Sequence, residues 1–183
     1  MNRTGTAYSM FFTADTHFTD PRILRIDRRP FPDLAAHDEA LVAYWNETVG
    51  EYDVVWHLGD FARGDAAAKS ALLARLNGRK QLIVGNNDDS ATTEASGWES
   101  VQTYKEITVD GRLLILCHYA FRTWNQMGKG AIDLHGHSHG KLKPQTRQYD
   151  VGVDAWDFRP VTLAQILGPR RRRIDPAATQ RPG

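Results

Sequence analysis

Three strand-length apolar segments, each separated from the next by a helix-length stretch, restrict what this chain can fold into. Residues 8–14 are rich in aromatics, residues 54–58 read Val-Val-Trp-His-Leu, and residues 81–84 read Gln-Leu-Ile-Val. Short apolar runs of this kind, bounded by polar residues, predict buried strands. Between the first two, Leu34, Leu41, Tyr44, Trp45, Thr48 and Val49 recur at helical spacing, and Gly50 follows them as a stop. Between the second and third, Asp65 is placed to cap a helix over residues 66–77, with Gly78 closing it. The order β-α-β-α-β is that of a parallel sheet with helices packed on it.

The second half changes character. Residues 106–109 and 112–116 flank Asp110-Gly111, a dipeptide suited to the two-residue type I′ hairpin turn. Residues 131–134 and 149–153 add two more short strands, so the expected architecture is two sheets, or one mixed sheet, layered with helices. Residues 1–167 read as one domain, without repeat or linker. Residues 168–183, with four consecutive arginines at 170–173 followed by Pro176 and Pro182, read as a basic, disordered tail. The single cysteine, Cys117, excludes an internal disulfide and fits a reducing, cytoplasmic setting. A net charge of +1 argues against a whole-surface nucleic-acid binder. No apolar run approaches the ~18 residues of a membrane helix.

Potential metal ligands gather where strands end. Asp15 and His17 follow the first strand, Asp60 the second, and Asn86, Asn87 and Asp88 the third. His118 closes Leu-Leu-Ile-Leu-Cys, and His137 and His139 close Leu-His-Gly-His-Ser-His. In an open α/β sheet, the carboxyl ends of the strands form the ligand-binding rim. Residues i and i+2 of an extended chain point the same way, so Asp15/His17 and His137/His139 are each expected to present two ligands to one spot. Gly85 and Gly136 would let the backbone pass close by. Carboxylate, imidazole and amide without thiolate suit Mn²⁺, Fe²⁺, Co²⁺, Ni²⁺ or Zn²⁺. Seven candidate ligands exceed one tetrahedral site and match two adjacent ions sharing a carboxylate. Such a site stays cationic after Asp15, Asp60 and a hydroxide are counted, which suits a phosphate anion.

The ordered series Asp-x-His, Gly-Asp, Gly-Asn-x-Asp, Cys-His and Gly-His-x-His, from Asp15 to His139, resembles the calcineurin-like metallophosphoesterase superfamily. The short length resembles its small bacterial phosphodiesterase-type members. The resemblance implies a four-layer α/β-β/α sandwich of two mixed sheets flanked by helices, with a dinuclear site. It implies that Asp15, His17 and His139 bind one metal, that Asn86, His118 and His137 bind the other, and that Asp60 bridges. The family usually has histidine where Asn87 stands, a residue that contacts phosphate and can protonate the leaving group. An amide cannot titrate, and losing a general acid costs ~10²–10⁴ in rate.

The expected function is metal-dependent hydrolysis of a phosphate ester, with a phosphodiester favoured. A metal-bridging hydroxide would attack phosphorus, while Asn86 and Asn87 help hold the phosphate. The substrate would be small and phosphorylated or nucleotide-like, and manganese is among the metals to test. The alternatives are a nuclease, hinted at by the arginine run, and a catalytically degenerate metal-binding scaffold, hinted at by Asn87. Arg122, Trp124 and Lys129 lie in a segment expected to overhang the site, where an arginine beside an aromatic suits a base-bearing phosphate, or simply packs the rim. His135 could touch substrate or support the neighbouring ligands. His57 is read as a core residue and Cys117 as a packed strand residue. His37 is read as solvated, and Arg22, Arg25, Arg28 and Arg29 as surface charge able to steer anions.

Overall fold

The computed structural model describes residues 8–169 of the 183. Strand β1 (Met10–Thr13) lies inside a five-stranded sheet. It pairs in parallel with β2 (Val54–His57), which pairs in parallel with β3 (Arg79–Ile83), and β3 pairs in parallel with β4 (Trp98–Gln102). On its other edge β1 meets β9 (Val161–Thr162) antiparallel. Alternation along the strands divides the core. Phe12, Val54, Trp56 and Leu58 face the second sheet, whereas Phe11 and Val55 face the helices.

Those helices are α2 (Leu34–Thr48) and α3 (Ala66–Arg75), each started by an aspartate side chain that accepts a backbone N–H of the first turn: Asp33 from Ala36 and Asp65 from Ala68, both at 2.8 Å. Leu41, Val42 and Trp45 of α2 and Leu73 of α3 bury against the sheet. Helix α3 stops two residues earlier than its periodicity predicts, because Leu76 takes an extended backbone and buries itself in the same cluster. Gly78, at φ +83°, turns the chain into β3 rather than ending the helix.

The second sheet has the order β5-β6-β7-β8. Strands β5 (Tyr104–Val109) and β6 (Arg112–Cys117) form the expected hairpin, with Asp110 and Gly111 both at positive φ as a type I′ turn requires. Parallel pairing adds β7 (Ile132–His135) and β8 (Gln148–Asp150). Leu114, Leu116, Ile132 and Leu134 meet the first sheet, so the molecule is a sandwich of two mixed sheets. The outer face of this sheet, marked by Ile115 and Asp133, lies under residues 119–131. There Phe121 N donates to Asp133 Oδ2 (3.2 Å), and Gln148 Nε2 donates to the same oxygen (2.7 Å). The helical component of that outer layer is a single 3₁₀ turn, Met127–Lys129.

Short elements escape a reading based on apolar runs. They are α1 (Ile23–Ile26), α4 (Ser90–Thr93), edge strand β4, two-residue β9, and α5 (Leu163–Leu167), which opens on a capping box between Thr162 and Gln165. The arginine run proposed as a disordered tail lies outside the described residues. Among the described residues, no helix is long and apolar enough to cross a membrane.

Candidate metal centre

Five strands, β1, β2, β3, β6 and β7, end at one rim, and each delivers a candidate ligand within four residues of its end. Backbone bonds hold the rim together. Asp15 N donates to Gly59 O (2.9 Å), His17 N to Asp60 O (3.0 Å), and Gly136 N to His118 O (3.0 Å). Gly85 and Gly136 are needed for close approach, since a Cβ on Gly136 would meet Asp15 Oδ2 at 2.9 Å and one on Gly85 would collide with Asp60.

Convergence is achieved differently from the extended-chain expectation. Asp15, His17, Asp60, His137 and His139 all adopt positive φ, between 48° and 64°, so left-handed turns rather than strand alternation aim these side chains. Ligand atoms of Asp15, His17 and His139 lie within 4.8 Å of one another, as do those of Asp15, Asp60 and His118. His137 instead packs its ring against His118, with centroids 5.2 Å apart. Thus His137 and His139 face different flanks. Asp60 stands between them, with Oδ2 3.4 Å from His17 Nε2 and Oδ1 3.6 Å from His118 Nε2.

The electrostatics call for cations. Asp15 is fully buried, its Oδ2 has no hydrogen-bond partner, and burial holds its carboxyl well above the ordinary range. His17 Nε2 is likewise buried without a partner, and burial brings its imidazole down to about 4. His118 Nδ1 lies 2.8 Å from Leu58 O, which can only accept, and His118 Nε2 lies 2.9 Å from Asn86 Oδ1. The orphaned carboxylate and imidazole atoms of Asp15 and His17 beside them fit a divalent ion. Asp15, His17 and His139 thus gather on one flank, and Asn86 and His118, with the His137 ring against His118, on the other.

Supporting residues fix these donors. Asp88 accepts from the backbone N–H of Asp60 (2.8 Å), Phe61 (2.9 Å) and Gly85 (2.8 Å), joining the second and third ligand loops. Asn87 donates twice to Asp60, from its backbone N (2.8 Å) and from Nδ2 (2.6 Å). His139 Nδ1 bonds Asp154 Oδ2 at 2.7 Å, leaving Nε2 for the centre. Burial pushes Asp154 upward, but its bonds to His139 and Arg29 outweigh that and hold it at about 2. His57 plays the core role expected of it. Buried between Trp45, Phe61 and Trp98, it falls to about 3 through burial, and its Nε2 lies 2.9 Å from Thr16 Oγ1.

Two expectations need correction. His37 is not solvated: it is buried and bonded to Arg29 Nη1 (2.9 Å) and Asp38 (2.7 Å). Arg29 is not surface charge but is 4% exposed, inside the protein. Among the proposed substrate residues, Trp124 spends its indole N–H on Ala131 O (2.9 Å), Arg122 is exposed, and buried His135 bonds Gly136 O through Nδ1 (2.8 Å). Sequence reasoning missed Asp154, whose local Gly-Val-Asp context carries no signal. It also missed Tyr119, half exposed beside the rings of His118 and His137, although its position next to a ligand could have marked it.

The molecule is an α/β sandwich of two sheets whose strand ends gather candidate metal-binding nitrogen and oxygen donors at one rim. Residues 9–153 match the model of the calcineurin-like phosphoesterase superfamily domain, and the chain belongs to that family. It is 32% identical over 180 residues to the Gene 66 protein of Mycobacterium phage D29, covering 81% of this chain and 89% of the phage protein. An uncharacterised protein of Methanocaldococcus jannaschii is 28% identical, with 86% and 89% covered. The crystal structure of a protein of unknown function from Aquifex aeolicus shares the fold, with a TM-score of 0.70 at 20% identity over 85% of this chain and 96% of that one.

Proposed function

We propose that the centre hydrolyses phosphate esters, phosphodiesters in preference to monoesters, at two divalent ions bridged by Asp60. The observation that carries this reading is the position of Asp60, its two oxygens 3.4 and 3.6 Å from imidazole nitrogens of opposite flanks. When bound, the ions would lower the pKa of a water at the centre and neutralise charge developing on phosphorus oxygens. The chain's own part is positional. Asp15, His17 and His139 would hold one ion and Asn86, His118 and His137 the other, while Asp88 and Asn87 keep the Asp60 carboxylate aligned.

The diester preference rests on charge. A monoester brings a second negative charge, and Arg29 cannot meet it because its N–H groups are spent on acceptors within the protein. Asn87 offers an amide and no titrating proton, which favours substrates with good leaving groups. A degenerate scaffold is the weaker reading, since it gives no reason for unpartnered Asp15 and His17 atoms. The test is elemental analysis of Mn²⁺-reloaded protein alongside hydrolysis of an aryl phosphodiester and the matching aryl monoester. Two equivalents and faster diester turnover are expected. One ion at most, or no hydrolysis with two bound, would overturn the reading.

A further inference from the structure

Arg29 lies in the connection between α1 and α2, far along the chain from most of the centre, yet its side chain is completely buried. Its guanidinium donates to Asp154 Oδ1 through Nε (3.0 Å) and to Asp154 Oδ2 through Nη2 (2.8 Å). Nη2 also donates to Asp15 O (2.6 Å), and Nη1 donates to Thr16 O (2.8 Å) and meets His37 Nε2 (2.9 Å). A guanidinium has five N–H groups, and here each has its own acceptor. Asp154 then passes the connection on, since its Oδ2 also accepts from His139 Nδ1 at 2.7 Å. One buried cation thus ties the backbone that carries Asp15 and His17 to the carboxylate that orients His139. Those three ligands form one cluster.

We propose that Arg29 and Asp154 are positioning residues for the ion of the Asp15–His17–His139 flank, setting the distance between its ligand loops before the ion arrives. This rests on the two-ion reading of the centre. The need for such a device is visible in the backbone. Asp15, His17 and His139 sit at φ 56°, 48° and 50°, a left-handed conformation that is unfavourable for a non-glycine residue and persists only where surroundings impose it. Arg29 grips the carbonyls of Asp15 and Thr16, on either side of the turn between the first two ligands. Asp27, two residues before Arg29, adds a second hold, with Oδ2 3.5 Å from His139 Nδ1 and an ion pair to Lys141. Lysine could not replace Arg29, because a point charge with three donors cannot serve five acceptors in one plane. Among the described residues the other flank has no equivalent guanidinium–carboxylate pair: His118 Nδ1 rests on the Leu58 carbonyl.

Loss of such an outer partner typically costs about 10–100-fold in metal affinity. The proposal confines that loss to one ion. The experiment is calorimetric titration of the metal-free full chain with Mn²⁺, repeated with Co²⁺ to read its absorption bands, on wild type, Arg29→Lys and Asp154→Asn. His139→Ala and His118→Ala mark the two flanks, and near-ultraviolet circular dichroism reports whether each variant is folded. Asp154→Asn preserves shape should Arg29→Lys fail to fold. One binding event should weaken about 10–100-fold while the other keeps its wild-type affinity. The Co²⁺ bands lost should be those lost in His139→Ala. A folded Asp154→Asn that binds both ions as wild type does, or weakens both alike, overturns the proposal. Should wild type take up a single ion, the two-ion reading fails separately. The proposal then stands only if Asp154→Asn weakens that ion as His139→Ala does.

Discussion

The flank built from Asp15, His17 and His139 and the flank built from Asn86, His118 and His137 share Asp60 but are held by different means. Around the first, ionic groups converge: buried Arg29 on Asp154, Asp154 on His139, and exposed Lys141 on Asp27. Around the second, support comes from a backbone carbonyl under His118 and from the half-exposed ring of Tyr119, and His137 itself is exposed. A guanidinium–carboxylate pair inside the protein holds its geometry strongly and penalises the loss of either partner. A solvent-facing imidazole against a half-exposed aromatic leaves room for a substrate to enter. On the proposed two-ion reading, the first would be a braced half that keeps its ion and the second an open half that meets the substrate.

Removing the shared residue should abolish the distinction. Asp60→Ala is expected to lower bound metal from two equivalents to one or none and turnover by roughly 10²–10⁴-fold, the scale of losing one ion's transition-state stabilisation. Metal analysis together with initial rates on an aryl diester checks this, and near-normal occupancy would break the bridge. His139→Ala and His118→Ala should each cost a single equivalent, from opposite flanks.

Acid should act on the core behind the braced flank. His57 is neutral in the folded state down to about pH 3, whereas unfolded it takes up a proton near the ordinary imidazole value of 6.5. Stability from this residue is therefore complete above about pH 6.5 and drains away as pH falls toward 3, by on the order of 5 kcal/mol. Urea unfolding at several pH values should show a shallower acid slope in His57→Gln, with metal content and turnover near wild type. Loss of turnover in a folded, metal-loaded His57→Gln would move that residue from the core to the site.

Asn87→His tests the proton that the open centre lacks. Rates of wild type on a series of aryl and alkyl diesters should depend steeply on leaving-group pKa, and the variant should flatten that slope, with its largest gain on alkyl esters. Because Asn87 also donates to Asp60 through its side chain (2.6 Å), the gain should stay below the ~10² at the lower end of general acid catalysis. An equal change for every ester would locate the proton elsewhere, with His135 the first residue to examine. The smallest effect belongs to Tyr119→Ala. Loss of an aromatic contact of ~0.5–1.5 kcal/mol should raise KM a few-fold with kcat nearly unchanged.

Most strands, and the polar residues that follow them at the rim, were legible because their signals are local, whereas the division into two sheets came only from the family resemblance. An apolar run predicts a strand, and the polar residue that ends it lies at the strand's rim. What was illegible depends on distant partners. Arg29 and Asp154 are separated by 125 residues, so nothing near Arg29 distinguishes it from exposed Arg25 and Arg28. His37 followed the same fate, because its buried Nε2 is met by Arg29, whose own burial was not foreseen. Strand β4 reads Trp-Glu-Ser-Val-Gln, an edge pattern with too few apolar residues to stand out, and β9 has only two residues. Local geometry was also mistaken where ligands two apart were expected to point together. Left-handed turns send His137 and His139 to opposite flanks.

The pairing of β9 with β1 sets an order of events during synthesis. Phe11 and Phe12 leave the ribosome early, but their antiparallel partners Thr162 and Val161 follow some hundred and fifty residues later. Until then, the nascent first sheet keeps one edge open beside its most apolar strand, an invitation to intermolecular pairing. Asp154 emerges in the same late stretch, so the clasp on His139 closes only as the sheet does. Such long-range pairing slows folding. On the proposed two-ion reading, metal uptake at that flank would follow the emergence of Asp154 rather than guide earlier folding steps.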